Sequence, residues 1–97
     1  MLTRVSEALV KPGREQEFVE RVRDLVRTFP ETYDGLIGHE VLVDLQEPQR
    51  VQYVSHWRDE QALQNYAGPG WRTDPVTFPD EDEYLQQPLT LRHFRVV

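Results

Sequence analysis

The apolar residues of this 97-residue chain change their spacing in a fixed order, and that order constrains the fold more than any other feature. Residues 2–10 are rich in residue types that favour strands. From Arg14 to Phe29, apolar residues recur every three or four positions, which is the period of an amphipathic helix. A Lys-Pro-Gly break at residues 11–13 separates the two segments, and Pro30 bounds the helix. The chain is therefore predicted to begin with a strand and a helix.

Two further strands follow, joined by a turn. Residues 36–45 carry an apolar side chain at each odd position from Val41, and residues 51–57 resume the alternation. The turn at residues 47–50 makes a hairpin the simplest arrangement. Four odd-numbered side chains of the second hairpin strand are expected to share one face: Val51, Tyr53, Ser55 and Trp57.

A second helix and a last strand complete the pattern. Asp59 is a suitable N-cap for a helix over residues 60–67, and residues 89–97 close the chain as a strand. This order predicts one α+β domain over residues 1–97 with a ferredoxin-like βαββαβ topology. In that topology two helices cover one face of a four-stranded antiparallel sheet.

The opposite face of this sheet has no helix to cover it. Leu42 and Val54 fall on that face, although the odd-numbered set is richer in apolar residues. A domain of this size buries only about two thirds of the surface of its unfolded chain, so added burial has value. We therefore expect a homodimer in which a second copy covers the sheet.

Composition excludes several classes of function. The chain has no cysteine, which rules out a disulfide, a thiolate metal site and a cysteine nucleophile. The net charge is −6, and the eleven Lys and Arg residues are scattered among acids, so we expect no nucleic-acid binding. No apolar run approaches the roughly 20 residues that cross a bilayer, and no secretion signal is recognisable at the N-terminus. We expect no membrane association and a cytoplasmic location.

The residues that most often bind metals are poorly placed for a shared site. His39, His56 and His93 fall on three different strands, and His39 shares the parity of Trp57 whereas His56 has the opposite one. The acidic run at residues 80–83 is more typical of a solvated segment or the first turn of a helix than of a cation site. We expect no metal.

Several motifs together carry a resemblance to a known family. They are Lys-Pro-Gly-Arg at residues 11–14, Asp-Gly-Leu-Ile-Gly at residues 34–38 and His-Trp-Arg-Asp-Glu-Gln-Ala-Leu at residues 56–63. Over its first 67 residues the chain resembles the antibiotic biosynthesis monooxygenase superfamily, whose members are dimeric α/β barrels. These include cofactor-independent oxygenases of polyketide anthrones, enzymes that act on quinols and haem-degrading enzymes. The resemblance implies a dimeric α/β barrel and leaves the reaction open.

The anthrone oxygenases offer one set of site residues for comparison. Their pocket is lined by a Trp that ends the third strand, an Asn four residues before it and a Tyr six residues after it. Trp57 matches the first, whereas Tyr53 stands at the Asn position and Leu63 at the Tyr position. Tyr66 lies three residues further on the same helical face and is expected to take the place of the missing Tyr.

The haem-degrading enzymes offer another set, which this chain matches less well. The Asn of their first strand corresponds to Ser6, and the Trp of their second helix corresponds to Tyr66. Their iron ligand is a His just beyond that helix, but residues 68–80 contain no histidine. Haem degradation is therefore the third and least favoured alternative.

The resemblance and the strand pattern together define a candidate site. The candidate catalytic residues are Trp57, Tyr66 and His56. The candidate substrate-binding residues are Tyr53, Leu63, Trp71 and Phe18. Two of these assignments have competing interpretations. Trp57 is equally well explained as a core anchor, and the parity of His56 directs it away from the helices unless a bulge changes its direction.

The segment at residues 68–88 holds four of the seven prolines and is predicted to be a long irregular excursion. Long loops of this kind often cover a binding site, so we expect a lid anchored by Trp71. The resemblance implies a cofactor-independent monooxygenase acting on a small aromatic, polyketide-like or quinol compound. The alternative is a non-catalytic dimer that binds a small ligand or serves a structural role.

Overall fold

The computed structural model describes residues 1–97. Its sheet has four antiparallel strands. The strands are β1 (Leu2–Leu9), β2 (Leu36–Val43), β3 (Arg50–Trp57) and β4 (Thr90–Arg95), in the spatial order β2-β3-β1-β4. Every neighbouring pair is antiparallel. The predicted ferredoxin-like α+β fold is confirmed.

The helices are α1 (Glu15–Val26), α2 (Phe29–Thr32) and α3 (Glu60–Ala67). Pro30 lies in the first turn of α2, where its missing N–H leaves no helical hydrogen bond unmade. The first helix ends at Val26, and Pro30 lies in the separate short helix that follows it. None of the helices has the length and apolar character that crossing a membrane requires.

The start of α3 follows from the chemistry of its cap. The Asp59 carboxylate accepts a hydrogen bond from the backbone N–H of Ala62 at 2.9 Å, as the sequence predicts. Gly68 ends the helix with a φ of 86°, a conformation that favours glycine. The buried side chains of α3 are Ala62 and Leu63, which fixes the helix against β3.

The excursion at residues 68–88 is irregular, as predicted, yet it packs closely on the rest of the chain. Phe78 and Tyr84 belong to the main hydrophobic core. The backbone N–H of Gln86 donates to the carbonyl of Leu9 at 2.8 Å, which continues the antiparallel pairing just past β1. A single 3-10 turn (Glu81–Tyr84) lies within the excursion.

Residues 81–83 of the acidic run form the first turn of the 3-10 helix, one of the two arrangements that the sequence predicts. Asp82 and Glu83 are exposed, but Glu81 is only 5% exposed. The reason is the period of three in a 3-10 turn, which places Glu81 and Tyr84 on the same inward side. The acidic run is therefore a short helical turn with one buried member, Glu81, and not a uniformly solvated segment.

The outer face of the sheet carries both apolar and charged side chains. Leu42 and Phe94 are about half exposed, whereas Val54 is already buried within the single chain. The Glu7 carboxylate on the same face accepts hydrogen bonds from Arg50 at 2.9 Å and Gln52 at 2.8 Å. This face thus combines a few exposed apolar side chains with a polar network.

Candidate functional site

A cavity lies between the inner face of the sheet, the helices and the excursion. Fourteen residues line it and eleven of them are hydrophobic, including Phe18 on α1, Phe29 on α2 and Val51 on β3. The volume in which the centre of a water molecule fits is about 30 Å³, room for about two water molecules. This volume is too small for an aromatic ring, so a larger ligand requires the cavity walls to move apart.

The excursion carries Glu81 into this apolar cavity. One carboxylate oxygen, Oε2, is fully buried and has no hydrogen-bond partner. Burial disfavours the charged carboxylate and raises the pKa of Glu81 to about 7. A buried acid with this pKa can gain or lose a proton near neutral pH, which is a property of acid–base catalysts.

The strand β1 contributes the opposite charge. Arg4 also lines the cavity and is 2% exposed. Its guanidinium donates to the carbonyls of Trp71 at 2.6 Å and Asp74 at 3.0 Å, and its Nη1 lies 3.0 Å from Nε2 of His93. No carboxylate forms an ion pair with it, and burial lowers the pKa of Arg4. The bonds to backbone carbonyls also tie the start of the excursion to the sheet.

Two tyrosines complete the polar lining on β3 and α3. The Tyr53 hydroxyl is 2.9 Å from Nδ1 of His39, and burial raises the pKa of Tyr53. Burial likewise raises the pKa of Tyr66 to about 12. Both phenols are therefore protonated near neutral pH and act as hydrogen-bond donors instead of bases.

A second aromatic cluster lies behind the cavity wall. Trp57 is fully buried, donates from its indole N–H to Ser55 Oγ at 2.9 Å and stacks on Tyr66 with ring centroids 4.9 Å apart. Leu63 and Trp71 belong to the same cluster. Stacking on Trp57 holds the ring of Tyr66, which itself lines the cavity.

The sequence comparisons identify the family from the first two thirds of the chain. The family model described as antibiotic biosynthesis monooxygenase matches residues 1–68. The chain belongs to this family. A search of the curated proteins finds no match. Glu81 lies beyond the matched residues, so family membership assigns it no role.

Solved structures share the fold of this family member at low identity. A conserved protein from Methanosarcina mazei Go1 superposes with a TM-score of 0.77 at 22% identity, covering 97% of this chain and 90% of that one. A structure described as an antibiotic biosynthesis monooxygenase has a TM-score of 0.76 at 18% identity, with 100% and 99% coverage. Protein Rv0793 from Mycobacterium tuberculosis has a TM-score of 0.74 at 13% identity, with 99% and 94% coverage. Identities this low establish the shared fold alone.

Within this family scaffold the candidate residues fall into three groups. Those that line the cavity are Phe18, Tyr53 and Tyr66. Those that form the neighbouring cluster are Trp57, Leu63 and Trp71. His56 stands apart, on the outer face of the sheet, where Nδ1 is 2.9 Å from Oγ1 of Thr3. The structure brings no three His, Asp or Glu side chains together as a metal site.

Sequence reasoning missed the two charged residues of the cavity, Arg4 and Glu81. Arg4 has the same strand parity as Ser6 and Ala8, so its inward direction was readable from the alternation of β1. The acceptors of Arg4 lie 67 and 70 residues away along the chain, which no local pattern reveals. Glu81 is one of four consecutive acids. The sequence distinguishes it from the other three only by its position three residues before Tyr84, one turn of a 3-10 helix.

Proposed function

We propose that this chain is a cofactor-independent monooxygenase acting on a small aromatic, polyketide-like or quinol compound. The observation that carries the proposal is the cavity between helices and sheet, with aromatic walls and a few inward polar groups. Membership of the antibiotic biosynthesis monooxygenase family supports the same reaction class.

Oxygenation without a cofactor places the electron demand on the substrate. For an anthrone, the methylene carbon becomes a carbonyl. One atom of O₂ enters the product, and the other leaves as water with the two methylene hydrogens. All four electrons come from the substrate, so the protein must bind it, exclude water and manage its proton.

The cavity residues have distinct roles in this proposal. Phe18 provides an apolar wall, and the neutral phenols of Tyr53 and Tyr66 donate hydrogen bonds to oxygens of the substrate. Trp57 holds the ring of Tyr66 in place by stacking. His56 lies on the opposite face of the sheet, and we assign it no part in the reaction.

The present volume of the cavity implies that the excursion moves when substrate binds. Part of the lining belongs to the excursion, namely Val76 and Glu81, and both must shift outward to admit an aromatic ring. Trp71 is buried beside Leu63 and anchors the first part of the excursion. We propose that residues 75–88 act as a lid around that anchor.

The proposed assembly is a homodimer of this domain through the outer face of the sheet. Its apolar contacts come from Val5, Leu42, Val54 and Phe94, three of which remain partly or largely exposed in the single chain. Light scattering at micromolar concentration is expected to report twice the mass of the chain, 11.5 kDa. A folded monomer at that concentration refutes the dimer.

The reaction is tested with anthrone and with reduced quinols, incubated with the protein under air and under argon. The expected result is oxygenated product under air only, with one atom from ¹⁸O₂ in the product. A folded protein that binds anthrone, detected by quenching of tryptophan fluorescence, yet forms no product supports the non-catalytic alternative. A sharp Soret band on titration with haem supports the third alternative.

A variant of the cavity provides the internal check on this assay. Tyr66→Phe removes the phenol O–H but keeps the ring that stacks on Trp57, so turnover is expected to fall about tenfold with folding unchanged. Tyr33→Phe is the matched control, because Tyr33 packs edge-on against Tyr66 and does not line the cavity. Equal turnover in both variants argues against a role for the Tyr66 hydroxyl.

A further inference from the structure

Two opposite charges are buried in the cavity without an ionic partner. Glu81 is 5% exposed with one oxygen unpartnered, and Arg4 is 2% exposed with backbone carbonyls and an imidazole as its acceptors. Burying a charge is costly unless something pairs with it. Buried ionisable groups of this kind mark a candidate functional site, and a ligand that contacts both Arg4 and Glu81 supplies the partners they lack.

The chemistry of the lining leaves one group able to accept a proton. The ionisable residues that line the cavity are Arg4, Tyr53, Tyr66 and Glu81. An arginine stays protonated, and both tyrosines are protonated near neutral pH because burial raises their pKa values. Only the Glu81 carboxylate is available as a base.

Burial is the cause of the raised pKa of Glu81, and no charged neighbour contributes to the shift. Facing it across the cavity are Arg4 from β1, Tyr53 from β3 and Tyr66 from α3. On the side of α1, Glu17 and Arg21 bind the hydroxyl of Tyr84. The remaining acids of its own turn, Asp80, Asp82 and Glu83, are exposed to solvent.

Nearby histidines have other positions. His39 is engaged with the Tyr53 hydroxyl, His93 with Arg4, and His56 lies on the outer face of the sheet. None of the three lines the cavity. The usual general base of enzymes is therefore missing from the place where the substrate would bind, which increases the weight on the carboxylate.

We propose that Glu81 is the general base that removes the acidic proton of the substrate, and that Arg4 holds the anion so formed. The substrate bond to hydrogen breaks, its electron pair stays on the substrate, and the proton forms an O–H bond with the Glu81 carboxylate. This assignment rests on the proposed function, because it takes the aromatic compound bound there as its substrate.

The pair also defines a substrate class. The compound needs an acidic C–H or O–H facing Glu81 and a conjugated oxygen, at a distance across its ring system, on which the negative charge collects beside Arg4. Three of the five guanidinium N–H groups are engaged by protein acceptors, so donors remain for that oxygen. Anthrones and phenols conjugated to a carbonyl meet both requirements, whereas simple hydrocarbons do not.

Proton removal is tested apart from oxygenation by hydrogen–deuterium exchange of anthrone under argon. In D₂O the methylene hydrogens exchange each time the base removes one, and NMR of anthrone measures the rate. The wild-type protein is expected to accelerate exchange, with a rate that rises as pH increases through about 7, the pKa to which burial raises Glu81. No oxygen is present, so the result does not depend on monooxygenase activity.

Three variants decide the assignment. Glu81→Gln keeps the shape of the side chain but cannot accept the proton, so exchange is expected to slow about 100-fold and to lose its pH dependence. Glu81→Asp is expected to recover part of the rate. Glu83→Gln is the matched control, since it removes an exposed acid two residues away and should leave exchange unchanged. Circular dichroism verifies that each variant is folded.

The contribution of Arg4 has its own pair of variants. Arg4→Gln removes the charge and is expected to slow exchange about tenfold, and Arg4→Lys is expected to restore part of the loss because it keeps the charge.

The outcomes separate this assignment from the proposed function. Exchange that depends on Glu81 without any oxygenated product under air supports the base and refutes the monooxygenase. Oxygenation together with equal exchange rates in wild type and Glu81→Gln overturns Glu81 as the base. The assignment of Glu81 as the base is also overturned if anthrone quenches the tryptophan fluorescence of the wild-type protein, which shows binding, but the protein catalyses no exchange.

Discussion

Residues 1–67 and the excursion at residues 68–88 build the same cavity in different ways. The first region contains three of the four strands and all of the α-helices, and it contributes the aromatic walls. The excursion has one 3-10 turn and contributes the buried acid. The family match covers the first region and ends at residue 68. A shared scaffold thus carries a group with acid–base potential on its least regular segment, which is common in enzymes.

The excursion is nevertheless part of the core and not a loose loop. Phe78 packs against Phe18 and Tyr84, with both pairs of ring centroids 5.9 Å apart. The hydroxyl of Tyr84 donates to Glu17 on α1 at 2.7 Å. Any outward movement of the excursion must break these contacts, so their strength sets how readily the proposed lid opens.

The largest expected effect concerns Phe78. Phe78→Ala leaves a void in the main core and is expected to lower the free energy of unfolding by about 3 kcal/mol. Urea denaturation followed by circular dichroism measures the change, and Thr77→Ala, at the exposed neighbouring position, is the control. A loss below about 1 kcal/mol contradicts the picture of a docked excursion.

The next effect is a gain in stability from Glu81→Gln. The folded protein holds the Glu81 proton more tightly than the unfolded chain, because burial raises its pKa from 4.5 to about 7. The stability that the wild-type protein gains from holding this proton is therefore complete below pH about 4.5, and it is lost as pH rises through about 7. Above that pH the variant is expected to be more stable by on the order of 2 kcal/mol.

Urea denaturation at pH 5 and at pH 8 measures this gain. Wild type and Glu81→Gln should differ little at pH 5 and clearly at pH 8, whereas Glu83→Gln should follow wild type at both. If the free energy of unfolding depends on pH in the same way for wild type and Glu81→Gln, the Glu81 carboxylate is solvated. Glu81 then does not differ from its exposed neighbours.

The smallest effect concerns the hydrogen bond between Tyr84 and α1. Tyr84→Phe removes the donor to Glu17 and is expected to lower the free energy of unfolding by about 1 kcal/mol. The same bond is the main reason for the lowered pKa of Glu17, so that pKa should rise toward its ordinary value in the variant. An NMR titration of Glu17 checks this. An unchanged pKa places the excursion further from α1 than the structure does.

Much of the fold was readable from local sequence. Periods of two and of three to four residues located the strands and the main helices, and Asp59 predicted the start of α3 correctly. These signals are local because the spacing of apolar residues within one strand or helix is enough to show which of its faces is buried. Parity alone also placed His39 on the inner face and His56 on the outer face, as the strand register confirms.

The candidate site was readable only in part. The aromatic residues split into cavity walls and a supporting cluster, and sequence spacing does not distinguish the two, since Trp57 and Tyr53 share one face of β3. The split depends on how α3 and the excursion pack along that face, since both contribute side chains to the cavity and to the cluster. Those are contacts between segments far apart in sequence.

By itself, then, the sequence determined the order of elements, the topology they favour and the absence of cysteine chemistry. Only the tertiary structure decided that Glu81, and not Asp82 or Glu83, is removed from water. The physical reason is that burial arises from the pairing of residues 85–86 with the end of β1 and from the packing of Phe78 and Tyr84 on α1. Four consecutive acids are equivalent until those distant contacts choose which one the cavity receives.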